Sequence, residues 1–449
     1  MGREAERERI ETKREEEKGI EEEIDRQLEV LRRGAATLLP EEDLRRKLRR
    51  SLEEGRPLRV KLGIDPSAPQ LTLGHAVVLR KLRDFQRLGH LAVLIVGDFT
   101  RLVGDPSGRT TAREPMTREE IEQNMRGYVE QAYKILDPDR TEIRYNSEWL
   151  QGMTFEEVLR LASRYTVARM LEREDFHKRL ESNYPITIME FLYPLMQAYD
   201  SVAIRADVEL GGEDQRFNLL IGRDIQEAYG QEPQVILTMP LLIGTDGVRA
   251  MSQSRGNYIG LAEPPKEMYG KIMALPDHLI VQYFRLLTDL PEAEIKEMEE
   301  ALAGQQPKVN PRDLKMRLAR EIVAQFHSKE AAAEAEEEFV RVFQRGELPR
   351  ELETIRVSRE VISPIDLLLE AGMARTRSEA RRLIDQGGVR LDGERVQGLE
   401  PVRIREGAVL RVGKRRFVRL SLGLKSAEQE EHQGEQAQER PGEDEQPPG

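Results

Sequence analysis

The chain has 449 residues, 39% of them apolar and 34% charged, with a formal net charge of −12 and no cysteine. That composition allows two to four domains with substantial cores under a heavily charged surface, and it excludes disulfides, thiolate metal sites and cysteine nucleophiles. The acidic balance speaks against a globally basic nucleic-acid binder and leaves room only for a local basic patch. No apolar run approaches the length of a membrane span, the longest being Leu91–Val96, and the Glu/Arg-rich N-terminus lacks the apolar core of a secretory signal, so a cytoplasmic protein without membrane association is expected.

In chain order, residues 1–40 form a charged extension. It reads as a solvated helix, frayed at its start, with a weak stripe of Ile24, Leu28 and Leu31. Leu44, Leu48 and Leu52 then space a short helix that stops at Gly55. Leu58, Val60, Leu62 and Ile64 alternate with Arg59, Lys61 and Gly63, which is the period of a strand. Asp65-Pro66-Ser67-Ala68-Pro69 ends it, and Val78, Leu82 and Phe85 mark one face of a helix that opens at Leu73-Gly74-His75. That junction is either an ordinary strand-to-helix turn or an anion site, since free N–H groups at a helix start attract negative charge and His75 stands beside them.

Leu91–Val96 is a second buried strand, and it empties into a loop carrying Asp98, Asp105, Arg109 and Arg113. Thr117 and Glu120 form a capping box, Ile143 and Tyr145 suggest a third strand, and residues 154–180 are helical in pattern. Val208–Gly212 and Val235–Leu242 read as further strands, the latter leading through Asp246-Gly247 into a polar loop around Met251. Alternating strands and helices predict an α/β, doubly wound parallel sheet whose ligands bind at the carboxyl ends of the strands. From residue 271 to 346 only helical spacing remains, as in Leu314, Leu318, Ile322 and Phe326. Residues 347–364 look like a linker. Residues 365–422 form a small domain with the arginines 375, 377, 381, 382 and 390 and the basic run Lys414-Arg415-Arg416, and the Glu/Gln/Gly/Pro-rich tail from 423 to 449 reads as disordered.

Six segments in order resemble a known set. They are Asp65-Pro66 with Leu73-Gly-His75, Gly104-Asp-Pro-Ser-Gly108, Tyr193-Pro-x-x-Gln197-x-x-Asp200, Gly211-Gly-x-Asp-Gln215, Met251-Ser-x-Ser254 and the basic C-terminal module. Together, from about Glu41 to Leu422, the chain resembles the bacterial-type tyrosyl-tRNA synthetases, class I aminoacyl-tRNA synthetases. The resemblance implies a Rossmann-like catalytic domain over 41–270, an α-helical anticodon-side domain over 271–346 and a small α+β S4-like RNA-binding domain over 365–422. It implies activation of tyrosine by ATP, brought with Mg²⁺, to tyrosyl-adenylate, then transfer to tRNA(Tyr), in a homodimer with no protein-bound metal.

Residue by residue, the resemblance assigns Gly63, Asp105, Tyr193, Gln197, Asp200 and Gln215 to tyrosine, with Asp200 accepting from the phenol hydroxyl. It assigns Asp65, Ser67, Gly74, His75, Gly212, Asp214, Met251, Ser252 and Gln253 to ATP. His75, Thr72, Arg109, Arg113, Gln253 and Ser254 fall at the catalytic positions. Arg375, Arg377, Arg381, Arg382 and Arg390 are the RNA contacts.

Three positions depart from the family pattern. The first histidine of His-x-Gly-His is Thr72 here, and the two lysines of Lys-Met-Ser-Lys-Ser are Ala250 and Gln253. These side chains meet the leaving pyrophosphate, and losing one such donor lowers the rate by about 10²–10³. Arg249 and Arg255 flank the loop and could supply substitute charge. Lys61 stands where part of the family has a tyrosine. Two readings follow: a synthetase with slow activation, or a weakened paralogue that acts as an RNA- or tyrosine-binding protein.

Overall fold

A computed structural model describes residues 2–105, 116–303, 309–345, 347–348, 352–413 and 416–422. Arg109, Arg113, Lys414, Arg415 and the tail lie outside the described residues. The chain divides into two compact units, 1–336 and 337–449.

The first unit is built on a six-stranded sheet. Its strands are β1 (Thr37–Leu39), β2 (Arg59–Ile64), β3 (Leu91–Val96), β4 (Thr141–Tyr145), β5 (Val208–Gly212) and β6 (Val235–Met239), in spatial order β1-β6-β5-β2-β3-β4. All neighbouring pairs are parallel except β1 against β6. The order reverses between β2 and β5, so their carboxyl ends open a crevice between two oppositely wound halves. The near-continuous apolar runs of β3 and β6 follow from burial on both faces.

Helices α1 (Gly2–Arg32), α2 (Glu41–Glu54), α3 (Leu73–Arg87), α4 (Ile188–Ile204) and α5 (Arg216–Ala228) surround the sheet. Gly55, at φ 63°, closes α2 in the left-handed region that glycine reaches without strain. Two sequence expectations change here. The stripe Ile24, Leu28 and Leu31 is fully buried and α1 packs on α2 and α3, so the second half of α1 is not a solvated helix. Its burial is helped by Gln27, which meets His90 at 3.1 Å. Residues 37–39 form β1, so the stretch before residue 41 belongs to the sheet rather than standing apart from it. The helical stretch from Pro265 to Phe326 lies in the same compact unit as the sheet.

Among the described residues the second unit holds a five-stranded sheet and the helices Pro364–Glu370 and Arg377–Asp385. The first strand, Thr354–Val357, pairs in parallel with the last, Arg416–Leu422, so this part of the supposed linker is a structural strand. Val361–Ile362 pairs with Val402–Arg403 in a separate ribbon. Leu367, Leu368, Ala380, Ile384, Leu410 and Leu420 fill its core.

Candidate active site

The carboxyl ends of β2, β3, β5 and β6 surround a cavity of about 280 Å³. Its wall holds Gly63, Asp65, Ser67, Thr72, Gly74, His75, Asp105, Tyr193, Gln197, Asp200, Gly212, Asp214, Gln215 and Met251 among the residues singled out in the sequence. Sequence separations of up to about 190 residues are thus closed by the parallel topology. A Cβ at Gly63 would meet nothing within 4 Å, so the strand end faces open cavity. A Cβ at Gly97 would fall 2.1 Å from Asp65 Oδ1, so only glycine lets the β3 end pass the β2 loop.

At one end of the cavity lies Asp200, buried on α4. Trp149 Nε1 donates to its Oδ1 at 2.8 Å and Asn146 Nδ2 to its Oδ2 at 3.3 Å. Asn146 and Trp149 come from the segment after β4, which the sequence reading passed over. The Tyr-Asn-Ser-Glu-Trp run at a strand's carboxyl end was the available signal. Burial pushes the Asp200 carboxyl up to about 7, against the pull of Lys61, Trp149 and Asn146.

Beside it, Tyr193 donates to Asp65 Oδ2 at 2.9 Å and Thr100 to Asp65 Oδ1 at 2.9 Å. A polar chain continues from there. Gln215 donates to Asp105 at 2.8 Å, Asn218 to Gln215 at 3.0 Å and to Gln197 at 3.1 Å, and Gln197 to Glu209 at 3.2 Å. Arg173, buried, pairs with Asp105 at 3.4 Å and donates to Asn218 at 3.0 Å. Asn218 and Arg173 were not anticipated. Asn218 holds two of the expected ligand residues in place, Gln215 and Gln197, and Arg173 holds one, Asp105.

At the other end, α3 begins. Thr72 is its N-cap, and the Thr72 backbone N–H donates to His75 Nδ1 at 3.1 Å. An accepting Nδ1 fixes the proton on Nε2. Burial lowers the His75 pKa to about 4, so the ring is neutral and offers a hydrogen bond without a charge. The wall opposite is apolar, formed by Pro240, Leu241 and Leu242 beyond β6, with Ala250 and Met251.

Ser252, Gln253 and Ser254 do not line the cavity. Ser252 and Ser254 hydroxyls meet at 2.9 Å, and the Gln253 amide donates to the Gln70 carbonyl at 2.5 Å. The loop is therefore latched to the segment before α3. The arginines expected as substitutes point elsewhere: Arg249 pairs with Asp246 at 3.0 Å and Arg255 donates to the Ala250 carbonyl at 3.1 Å. Among the described residues there is no group of three or more His, Asp or Glu that could hold a metal ion, and no helix is long and apolar enough to cross a membrane.

Residues 53–344 match the family described as tRNA synthetases class I (W and Y), and residues 364–403 match the S4 domain. The chain belongs to this class I tRNA synthetase family. It is 56% identical over 398 residues to the tyrosine–tRNA ligase of Thermotoga maritima, covering 88% of this chain and 98% of that one. It is 55% identical over 402 residues to that of Moorella thermoacetica, covering 89% and 97%. A tyrosyl-tRNA synthetase from Archaeoglobus fulgidus, solved with L-tyrosine, shares the fold at a TM-score of 0.57 and 24% identity, covering 70% of this chain and 99% of that one.

In the S4 unit all five predicted RNA-contacting arginines are exposed. Arg377 is engaged by Asp366 at 2.6 Å, and Arg390 donates to the Gly393 carbonyl at 2.8 Å.

Proposed function

We propose that the chain is a tyrosine–tRNA ligase, which joins tyrosine to the AMP part of ATP with release of pyrophosphate and passes the tyrosyl group to tRNA(Tyr). One observation carries the reading: a single cavity has a buried carboxylate acceptor, Asp200, at one end and a helix N-terminus with a neutral histidine donor at the other. The first suits a phenol hydroxyl, and the second suits a phosphate.

In this reading the tyrosine ammonium sits among Asp105, Tyr193, Gln197 and Gln215, and the phenol hydroxyl donates to Asp200. The adenine lies on the Pro240–Leu242 wall, with Gly212 and Asp214 at the ribose. Magnesium arrives on the ATP phosphates as part of the substrate. The tyrosine carboxylate attacks the α-phosphorus, the bond to the β-phosphate bridging oxygen breaks, and pyrophosphate leaves with the electron pair. The reaction asks for positioning and charge stabilisation, not for a protein nucleophile. His75 Nε2–H and the free N–H groups of α3 meet the phosphates. The Thr72, Ala250 and Gln253 positions bring no histidine or lysine donor to the departing pyrophosphate, so the activation step is the slow one.

The S4 unit, with the exposed Arg375, Arg381 and Arg382, is assigned to tRNA phosphates. A homodimer accounts for a third feature. Large apolar side chains stand exposed within one stretch of the first unit, among them Phe155 at 77% and Ile188 at 82%, with Leu159 and Val167 between.

Tyrosine-dependent exchange of pyrophosphate into ATP, followed by charging of tRNA(Tyr), tests the reading. Absence of exchange in the presence of binding would favour a weakened paralogue, a reading that relatives at 55–56% identity named as ligases do not favour.

A further inference from the structure

The polar chain of the site ends on an ion pair outside the tyrosine-binding signature. Lys61 and Glu209 are directly opposed in the β2–β5 register. Lys61 Nζ lies 2.9 Å from Glu209 Oε1, with side-chain exposures of 0% and 1%. Neither lines the cavity. Lys61 also donates to the Gln197 carbonyl at 2.8 Å and to Ser201 Oγ at 2.7 Å. Ser201 in turn donates to Glu209 at 3.2 Å, as does the Gln197 amide. Gln197 and Ser201 stand three residues before and one residue after Asp200 on α4. The ammonium is thus lodged behind the turn of α4 that presents Asp200 to the substrate, and all three of its N–H bonds are committed there.

A buried charge is kept only where it is paired and hydrogen-bonded. A methionine or leucine at position 61 would fill the same space between strand and helix without needing Glu209. We propose that Lys61, fixed by Glu209, is a specificity-positioning residue for the amino-acid substrate: it sets a positive charge behind Asp200 and holds the α4 turn in place, so that the pocket accepts a hydrogen bond from a phenol hydroxyl. This rests on the tyrosine reading given above.

Electrostatics agrees. Burial raises the Asp200 pKa, and Lys61 is the largest of the influences holding it down, ahead of Trp149 and Asn146, while Glu209 acts more weakly in the opposite sense. These come from β2, the segment after β4 and β5. Asp65, across the cavity, is taken up by Tyr193 and Thr100. Without Lys61, Asp200 would hold its proton at neutral pH and lose its acceptor role.

The test uses the full chain and two variants, Lys61→Met and the double variant Lys61→Met/Glu209→Gln. The double variant leaves no unpaired buried charge and serves if the single one does not fold. ATP–pyrophosphate exchange is measured with tyrosine and with phenylalanine from pH 6 to 9. The expected result is a KM for tyrosine at least tenfold higher at pH 7, partly recovered by pH 9, with the KM for ATP moving less than twofold and the preference for tyrosine over phenylalanine reduced. A merely structural role would move both substrates together and leave the pH profile alone. A folded variant with the parent's pH profile and the parent's preference overturns the proposal alone. A parent with no tyrosine-dependent exchange overturns the functional reading, and this proposal with it.

Discussion

Trp149, in the segment that follows β4, donates its indole N–H to Asp200 at 2.8 Å. The bond fixes the direction in which the remaining carboxylate lone pairs face. It also holds at the cavity wall a carboxyl whose pKa burial raises to about 7.

A pH dependence of tyrosine binding follows. Below about pH 7 Asp200 takes up a proton and loses acceptor capacity, so tyrosine affinity should fall as pH drops from 8 to 6. His75 stays neutral down to about 4 and contributes nothing in that range. Asp200→Asn should flatten the profile. Asp200→Ala should weaken tyrosine by about 1.5–3 kcal/mol, the range for a hydrogen bond to a charged group, with ATP affinity little changed. Calorimetric titration of tyrosine across this range decides it, and a flat parent profile would remove Asp200 from the phenol. The same group affects folding in the opposite direction to an ordinary carboxylate. Unfolded, it ionises near 4, while folded it holds its proton to about 7, so its contribution to stability declines as pH rises through that window.

The Lys61–Glu209 pair makes a second prediction, on stability. Removing one partner strands a charge in a dry interior, and Glu209→Leu should cost about 3–5 kcal/mol. Lys61→Met/Glu209→Leu removes both charges, and its stability should return to within about 1–2 kcal/mol of the parent. Urea unfolding of these two variants and of Lys61→Met gives the coupling. Independent, additive losses would show that the pair is not a unit.

For the S4 unit, the arginines differ in availability. Arg375, Arg381 and Arg382 are exposed, whereas Arg377 is engaged by Asp366. Replacing the first three by glutamine should reduce the salt slope of tRNA binding by up to about three and leave tyrosine activation untouched. Arg377→Gln should do less. An unchanged slope in the triple variant would take the RNA contact away from this face.

Much of this was legible beforehand, for identifiable reasons. The period-two alternation around Val60 marks a strand, and the continuous apolar run of Leu91–Val96 marks one buried on both faces, because a sheet covered on both faces accepts little else. The capping box at Thr117 marks a helix start chemically. What stayed hidden depends on contacts distant in sequence. The stripe of α1 looked weak because its polar neighbours dominate the composition, yet Ile24, Leu28 and Leu31 are sealed by α2 and α3. The partner of Lys61 is Glu209, which only β5 brings beside it. They are buried charges on neighbouring strands, and only the register reveals that they cancel. Arg173 and Asn218 lie outside every motif because they touch the ligand residues and not the cavity signature itself.

The last prediction concerns the loop that carries Gln253. Its amide is bonded to the Gln70 carbonyl, and Ala250 lines the cavity nearby. Thr72 is nearly fully buried and caps α3 through His75, so a histidine there would have to displace a working cap, at about 1 kcal/mol. The informative change is therefore Ala250→Lys/Gln253→Lys, which leaves the cap intact. Gln253→Lys releases the latch to Gln70 and supplies a charge that can swing toward the pyrophosphate, while Ala250→Lys adds a second at the cavity edge. Both would act on charge that develops as the phosphate bond breaks, so the rate of adenylate formation should rise with tyrosine affinity unchanged. A gain of at least about tenfold, roughly 1.4 kcal/mol off the barrier, is expected in single-turnover activation with both substrates saturating. A change confined to tyrosine affinity would show that the two lysines act on the amino-acid end. With no gain, a brisk parent rate would mean that some other group already meets the leaving pyrophosphate. Arg249 and Arg255 would then have to abandon Asp246 and the Ala250 carbonyl when ATP binds, a rearrangement that Arg249→Gln/Arg255→Gln would expose as a loss of that rate.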